Sequence, residues 1–530
     1  MDRDEARFVQ ASRQMMETQN YQDIYFQETP RTKKPVGIYW LQSAAVNLLS
    51  HHEKGEIWAY RVPSVLGAWA AVLLTFLFGS RMFNKRVALV AAGLLASCVM
   101  VAAEAHLGKT DAVLLCLSVM TLGSLGCFYM QSQGGKAPPR WFALLFWGGL
   151  GFSILVKGPV VPMIVLLTLI TLVIWEKRAR WLLGLSPTFG LLLVLAIVLP
   201  WFVSVSGGEG GGFIGKSIQE DLIPKLLGGH ESHGAPPGYF TLLITATLFP
   251  ASLFLWPSLV NSVKSRAQPA VRFLLAWVLP AWVMFEIVPT KLPHYTLPVY
   301  PGLVLLIAAT LFSVRDKAYD RLAHKLSWIG YGLWGLIGLV LVAGVPFIAM
   351  KHGDDGTLLW AIPVALGAAG AVVSGMFYIR KRLFLNAAGC SILAMVLVYP
   401  FLFQGVMPHL NDLWISKRVH AAIDAAAPDR PAALAAAGFH EPSLVFLMGT
   451  DTILTTGEGA AEYLLGHPKA IVLVDQSEAE AFENALVKQN ISLQSDVETV
   501  AHITGLNYSR GKKKDITLYR LSAISGAATQ

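Results

Sequence analysis

Twelve apolar runs, each near the length that crosses a bilayer, constrain this chain more than any other feature. A spanning helix takes about 20 mostly apolar residues. Runs of that kind fall near 58–80, 86–104, 111–131, 140–156, 159–175, 181–205, 238–259, 270–289, 295–314, 326–350, 358–378 and 385–405. They are continuous rather than alternating, so the pattern is helical and not that of a β-barrel. Composition agrees, with 54% hydrophobic and only 14% charged residues among 530. Soluble domains carry about 25% charged residues. This excludes a disordered chain, a nucleic-acid arm and an ordinary soluble enzyme. Cys98, Cys116, Cys127 and Cys390 all lie inside apolar runs and read as packing residues, with no CxxC and no disulfide framework.

The loops between the runs sort by charge. Six alternate loops carry eighteen Lys and Arg, and the short loops opposite carry four, namely Lys109, Lys157, Lys291 and Lys351. The positive-inside rule then puts residues 1–57, the loop 206–237 and the tail after 405 outside the cytoplasm. The expected organisation is an extracytoplasmic segment 1–57 with amphipathic interface helices, a transmembrane bundle 58–405, and a soluble α/β unit 406–530 on the same outer side. Segment 1–57 holds seven basic residues, and such tails translocate poorly. A further transmembrane helix ahead of Met1 is therefore expected, thirteen in the whole protein.

The unusual chemistry sits on the outer side. Asp4-Glu5 opens an amphipathic stretch from Ala6 to Tyr21, expected to lie at the membrane interface. Lys33-Lys34-Pro35 leads into a second stretch, 36–49, with Tyr39 and Trp40 as interface anchors. The turn Glu104-Ala105-His106-Leu107-Gly108-Lys109-Thr110-Asp111 joins the second and third runs. Its Asp111 suits either a helix N-terminal partner or a functional acid at membrane depth. Lys157-Gly158-Pro159 is a sharp outer turn with one cation, suited to a lipid phosphate. The loop 206–237 starts glycine-rich and carries Asp221, Lys225, His230, Glu231 and His233, the residues of an acceptor site or lid. His230, Glu231 and His233 have no recognised zinc spacing, which leaves a divalent metal open. Prolines 293, 298 and 301 break the ninth run at its outer end, where Lys291 and Tyr295 can reach a phosphate or a sugar.

The chain has no GxxxxGK[ST] loop, no GxSxG elbow and no HExxH helix. Broken helices and charges near the midplane, with an internal repeat, would mark a secondary transporter or a lipid flippase. Here the charges gather at the outer edge, and the transporter stands as the alternative reading.

Asp4-Glu5, Lys34-Pro35, Asp111, Lys157-Gly158-Pro159 and Lys291-Leu292-Pro293-His294-Tyr295 with Leu297-Pro298, in that order and sidedness, resemble the GT-C polyprenyl-phosphate sugar transferases. The resemblance covers about residues 1–410. It points to the bacterial aminoarabinose transferases of lipid A and the related protein O-mannosyltransferases. It implies a mainly α polytopic membrane protein with a GT-C bundle, here of twelve helices. It implies an inverting glycosyltransferase of the bacterial inner membrane, working at the periplasmic face. The donor would be an undecaprenyl-phosphate sugar, the acceptor lipid A or another envelope lipid, glycan or protein, and nucleic acid would play no part. It further implies Asp4 as the main catalytic acid, with Glu5 beside it and Asp111 as partner across the cavity. Lys34 and Tyr295 would hold the donor phosphate, and Lys157 and Lys291 are placed to help.

The tail changes character. From 411 to 530 there are ten basic and fourteen acidic residues. Helices near 416–426 and 477–489 alternate with strand-like runs Leu444–Leu447, Ala470–Val474 and Ile516–Arg520, which together read as a small α/β unit. Lys512-Lys513-Lys514 reads as a solvated hairpin turn.

Overall fold

In the computed structural model, residues 3–50, 56–207, 215, 234–313, 321–427, 434–508 and 511–522 are described. The chain opens with α1 (Arg3–Thr18), the two-residue strands β1 (Tyr25–Phe26) and β2 (Thr29–Pro30), and α2 (Gly37–Leu49). The bundle then runs α3 (Ile57–Met82), α4 (Lys85–Ala96), α5 (Val99–Ala105), α6 (Asp111–Ser132), α7 (Trp141–Lys157) and α8 (Val160–Glu176). It continues with α9 (Pro187–Gly207), α10 (Tyr239–Thr247), α11 (Leu255–Lys264), α12 (Pro269–Ile287) and α13 (Tyr300–Ser313). It closes with α14 (Arg321–His352), α15 (Thr357–Arg380) and α16 (Phe384–Pro400).

All twelve apolar runs are helical. Among the described residues, eight helices are long and apolar enough to cross a membrane, and two bent pairs, α4–α5 and α10–α11, bring the number to ten. The remaining two, α7 and α8, are apolar helices of 17 residues, at the lower limit for a span. Apolar side chains such as Ile174, Leu192, Leu339 and Leu366 stay exposed on the bundle. In water that would be costly, and in hydrocarbon it is what solvates the protein. The chain is a multi-pass membrane protein.

The breaks in the two bent pairs meet. The α4–α5 axis turns by 62° and the α10–α11 axis by 119°. A helix start leaves orphan N–H groups that lipid cannot satisfy. Here the Val99 N–H at the start of α5 donates to the Phe249 carbonyl at the other break, at 2.9 Å. The Tyr399 hydroxyl donates to the Ser97 carbonyl at 2.5 Å, and the Trp334 indole to the Pro250 carbonyl at 3.1 Å. α4 itself starts on Asn84, whose side chain accepts from the backbone of Arg86 and Val87, the ordinary work of an N-cap.

Two outer-side expectations are corrected. The apolar residues of α1, including Phe8, Val9, Met15 and Met16, are buried inside the protein. Its amphipathic face is therefore packed against other elements and does not lie at the interface. Tyr39, expected as a membrane anchor, is fully buried and accepts from Arg31 at 2.9 Å. Trp40 is exposed, as an anchor would be, together with the large apolar residues Leu41, Leu48 and Leu49 of α2.

The C-terminal part holds α17 (Ile415–Ala426), β3 (Ala435–Ala437), α18 (Pro442–Met448), β4 (Ile453–Thr455) and α19 (Gly457–Gly466). It then adds β5 (Val472–Asp475), α20 (Ala479–Lys488), β6 (Val497–Asn507) and β7 (Lys512–Leu521). The sheet order is β4-β3-β5-β7-β6, with β3 parallel to β4 and β5, and β7 antiparallel to both its neighbours. Leu444–Leu447, expected as a strand, lies in α18. Pro442 opens that helix at a position where its missing N–H costs nothing, and a four-residue apolar run cannot by itself tell strand from buried helix. The triple lysine is not the hairpin turn. Lys512 opens β7 opposite Asn507, and Lys514 donates to Asp475 at 2.8 Å and to the Gly438 carbonyl at 3.0 Å.

The bond across the α4–α5 break yields a prediction. Tyr399→Phe removes a buried donor to the Ser97 carbonyl and should cost about 1–2 kcal/mol. A lower midpoint of thermal unfolding in detergent measures it.

Candidate active site

The segments expected on the outer side come together at one end of the bundle. α1 brings the two acids, and they part ways. Glu5 is fully buried, and its carboxylate takes both arms of the Arg61 guanidinium from α3, at 2.7 and 2.9 Å. The same oxygen that meets Arg61 Nε accepts from the Gly108 N–H at 2.7 Å. Burial alone would raise the Glu5 pKa. The Arg61 guanidinium and the Gly108 N–H outweigh it, and the carboxyl is held below its ordinary value of 4.5. Asp4, one residue earlier, is the open acid, with a side chain 52% exposed and a 3.4 Å contact to Arg7 in the same helix.

Behind Glu5 lies a buried ionic cluster built from four elements. α5 supplies Glu104, the turn supplies Lys109, α6 starts on Asp111, and α7 ends on Lys157. Lys157 pairs with Asp111, and Lys109 pairs with Glu104 at 3.2 Å. His294, from the proline-broken segment before α13, lies between the two acids. Its Nδ1 is 3.6 Å from Glu104 and its Nε2 is 3.8 Å from Asp111. The Lys157 ammonium stands 5.1 Å over the Tyr295 ring, a cation–π distance. Lys34 adds its charge to the fields of Lys157 and Lys109 acting on His294. One oxygen of Glu104 has no hydrogen-bond partner among the described residues.

Local sequence explains the arrangement. Gly67 on α3 lets the first turn of α6 approach closely, since a Cβ there would stand 2.9 Å from the backbone of Ala112 and Val113. That contact sets the height of Asp111. Gly158, at φ 64°, ends α7 immediately after Lys157, a conformation that suits glycine.

Lys291 is placed differently. It is buried, and its ammonium donates to the carbonyls of Phe285, Glu286 and Val288 at 3.2, 2.8 and 2.6 Å. It closes the C-terminal end of α12, where a cation also complements the helix dipole. Asp221, Lys225, His230, Glu231 and His233 lie outside the described residues. Among the described residues no three His, Cys, Asp or Glu side chains are arranged to hold a metal ion.

Sequence reasoning did not assign roles to Arg61, Glu104, Lys109 or His294. Glu104 and Lys109 flank the same turn as Asp111, and His294 adjoins Tyr295, so proximity in the motifs was the available signal. Arg61 carried none, because a lone arginine near the start of a span reads as an ordinary interface residue.

The Glu5 pair has a pH signature. A carboxyl with a lowered folded pKa contributes its stability fully above the unfolded pKa, and loses it as pH falls through the folded value. Glu5→Gln should therefore cost about 2 kcal/mol at pH 7. The gap to the parent protein should close in acid, below the ordinary carboxylate range. Thermal unfolding in detergent across pH checks both statements.

Comparison with known proteins fits this geometry. Residues 33–203 match the family model described as dolichyl-phosphate-mannose-protein mannosyltransferase. The chain is 28% identical over 341 residues to undecaprenyl phosphate-alpha-4-amino-4-deoxy-L-arabinose arabinosyl transferase 1 of Pseudomonas fluorescens, covering 64% of this chain and 60% of that protein. It is 25% identical over 409 residues to the transferase of the same name from Pectobacterium atrosepticum, covering 74% of this chain and 70% of that protein. The match thus spans 60% and 66% of the length of two Pseudomonas fluorescens relatives. The crystal structure of ArnT from Cupriavidus metallidurans bound to undecaprenyl phosphate superposes with a TM-score of 0.72 at 18% identity, over 97% of this chain and 93% of that one. Its apo form gives 0.71. In fold, then, the chain is a GT-C membrane bundle, and in sequence it is similar to aminoarabinose transferases.

Proposed function

We propose that this protein is a membrane glycosyltransferase. It moves a sugar from a polyprenyl-phosphate donor to an envelope acceptor such as lipid A, at the periplasmic face of the inner membrane. One observation carries the reading. The open acid Asp4 is fixed, through Glu5, to the same turn that carries Glu104, Lys109 and Asp111 of the buried ionic cluster. The likeness to transferases named for an undecaprenyl-phosphate aminoarabinose donor supports the substrate class. The excess of lysine and arginine in the alternate loops supports the orientation.

In this reaction the bond between the sugar C1 and the donor phosphate oxygen breaks. A bond from C1 to an acceptor oxygen forms on the opposite face of the ring. The polyprenyl phosphate leaves with one more negative charge, which needs nearby cations in a partly dry site. Lys34 and Lys157, with the Tyr295 hydroxyl, are the groups we assign to it. Asp111 orients Lys157 and keeps the cluster balanced before the phosphate arrives. Lys291 keeps the shape of the turn that carries His294 and Tyr295. Glu5 is committed to Arg61 and serves as the anchor. Asp4 is left to act on the reacting groups. With a hydroxyl acceptor it removes the proton, and with a lipid A phosphate it stabilises positive charge on the sugar. The loop residues Asp221, Lys225, His230, Glu231 and His233 are assigned to the acceptor side.

The test uses the full chain in membranes, with radiolabelled undecaprenyl-phosphate aminoarabinose and lipid A. We expect transfer of label, a loss of about 10²-fold or more for Asp4→Asn, and a comparable loss for Lys157→Ala. Transfer that survives both Asp4→Asn and Asp111→Asn would sink the site assignment. Movement of the donor lipid with no transfer to any acceptor would favour a flippase.

A further inference from the structure

The C-terminal sheet unit reaches α1 through α18 and the turn after it. Phe446, on α18, has no exposed surface. Its ring does not serve the sheet's own core. It sits with Val9 and Met16 of α1, Val46 of α2, and Ala59 and Tyr60 of α3, in a small cluster separate from the main core. The Tyr60 ring meets it edge-on at 5.4 Å between centroids, a favourable aromatic geometry. The backbone next to it is also held. Arg13 donates to the Phe446 carbonyl at 2.6 Å, and Gln10 donates to the Thr450 hydroxyl at 2.7 Å. That hydroxyl in turn donates to Glu17 at 2.5 Å. These contacts span two turns of α1 on one side, beginning one turn beyond Asp4-Glu5.

A helix of 16 residues does not hold its own place, because an isolated helix of that length is marginal in water. The position of α1 therefore comes from what packs on it. At its N-terminal end the Glu5 pair fixes height. Along its length Phe446 fixes the angle, wedged between α1 and α3 at Val9 and Tyr60. A displacement of about 1 Å at a reacting group can cost 10²-fold in rate.

We infer that Phe446 is a positioning residue, through which the C-terminal unit sets the angle of α1 and with it the reach of Asp4. The inference rests on the reading of Asp4 as the reacting acid, and the experiment separates the two. Purified full-length protein is assayed with undecaprenyl-phosphate aminoarabinose and lipid A, and kcat is resolved from KM for the donor. For Phe446→Ala we expect kcat to fall about tenfold or more, with KM within about twofold of the parent, because donor binding is untouched. Phe446→Leu, which refills the wedge, should recover most of the rate. Leu464→Ala loosens the sheet's own core away from α1 and should keep the parental kcat below its melting temperature. If Phe446→Ala does not fold, Thr450→Val replaces it. That variant removes the bonds to Gln10 and Glu17, and we expect a several-fold fall in kcat. A folded Phe446→Ala or Thr450→Val with parental kcat overturns the inference, as does an equal loss from Leu464→Ala. Parental activity in Asp4→Asn overturns the reading of the site itself, whatever Phe446 does.

Discussion

The end of the bundle that gathers the candidate site depends on one buried carboxylate. Glu5 joins three separate pieces of chain, the N-terminal helix, the first span and the turn between α5 and α6. A charge with no solvent around it is tolerable only when paired and hydrogen-bonded. Glu5 meets that condition with a two-armed guanidinium and a backbone N–H. The geometry is also demanding, since both Arg61 arms and the Gly108 N–H must arrive together. An interaction of this kind contributes modest net stability but sharply limits where its partners can stand. Asp4 inherits its location from this limit, being one residue away and itself unburied.

The cluster behind it follows the same physics with a different outcome. Two acids and two lysines are nearly buried, and pairing keeps each from being an isolated charge. His294 stands near both acids but beyond hydrogen-bond distance of either. The cluster is thus balanced without being closed, and Glu104 retains a free oxygen among the described residues. The proposed reception of a lipid phosphate and part of a polar sugar needs such slack. Fully satisfied charges would have to be pulled apart before any substrate could bind.

Most of the bundle was legible from the sequence because lipid imposes a length and a composition on every span. The twelve runs, including the two that bend, all became helices. Of the motifs expected on the outer side, the structure brings Asp111, Lys157 and Tyr295 together at His294. What could not be read was direction. Lys291 lies one turn from His294 in sequence, yet it points back to the end of α12, because unpaired carbonyls there attract it. Nor could periodicity separate Asp4 from Glu5, although the family resemblance put Asp4 first, since adjacent residues on a helix face about 100° apart and nothing local shows which one is buried. In the tail, Leu444–Leu447 misled because a buried seven-residue helix has no polar face to show its period. Lys514 misled because its partner Asp475 is far away in the chain.

The two breaks in the bundle carry a consequence for assembly. The Val99 N–H finds its acceptor on Phe249, a residue made long after it during synthesis. Until that carbonyl arrives, an interrupted helix at Ser97-Cys98 would leave backbone groups unpaired in hydrocarbon, at several kcal/mol each. An unbroken helix leaves none. The physics therefore favours entry of the second span as a straight rod, which bends only when α10 and α11 come alongside. The site beside Glu104, at the end of α5, can take its final form only at that moment. Completion of this end of the bundle is thereby tied to the integration of a span more than a hundred residues downstream.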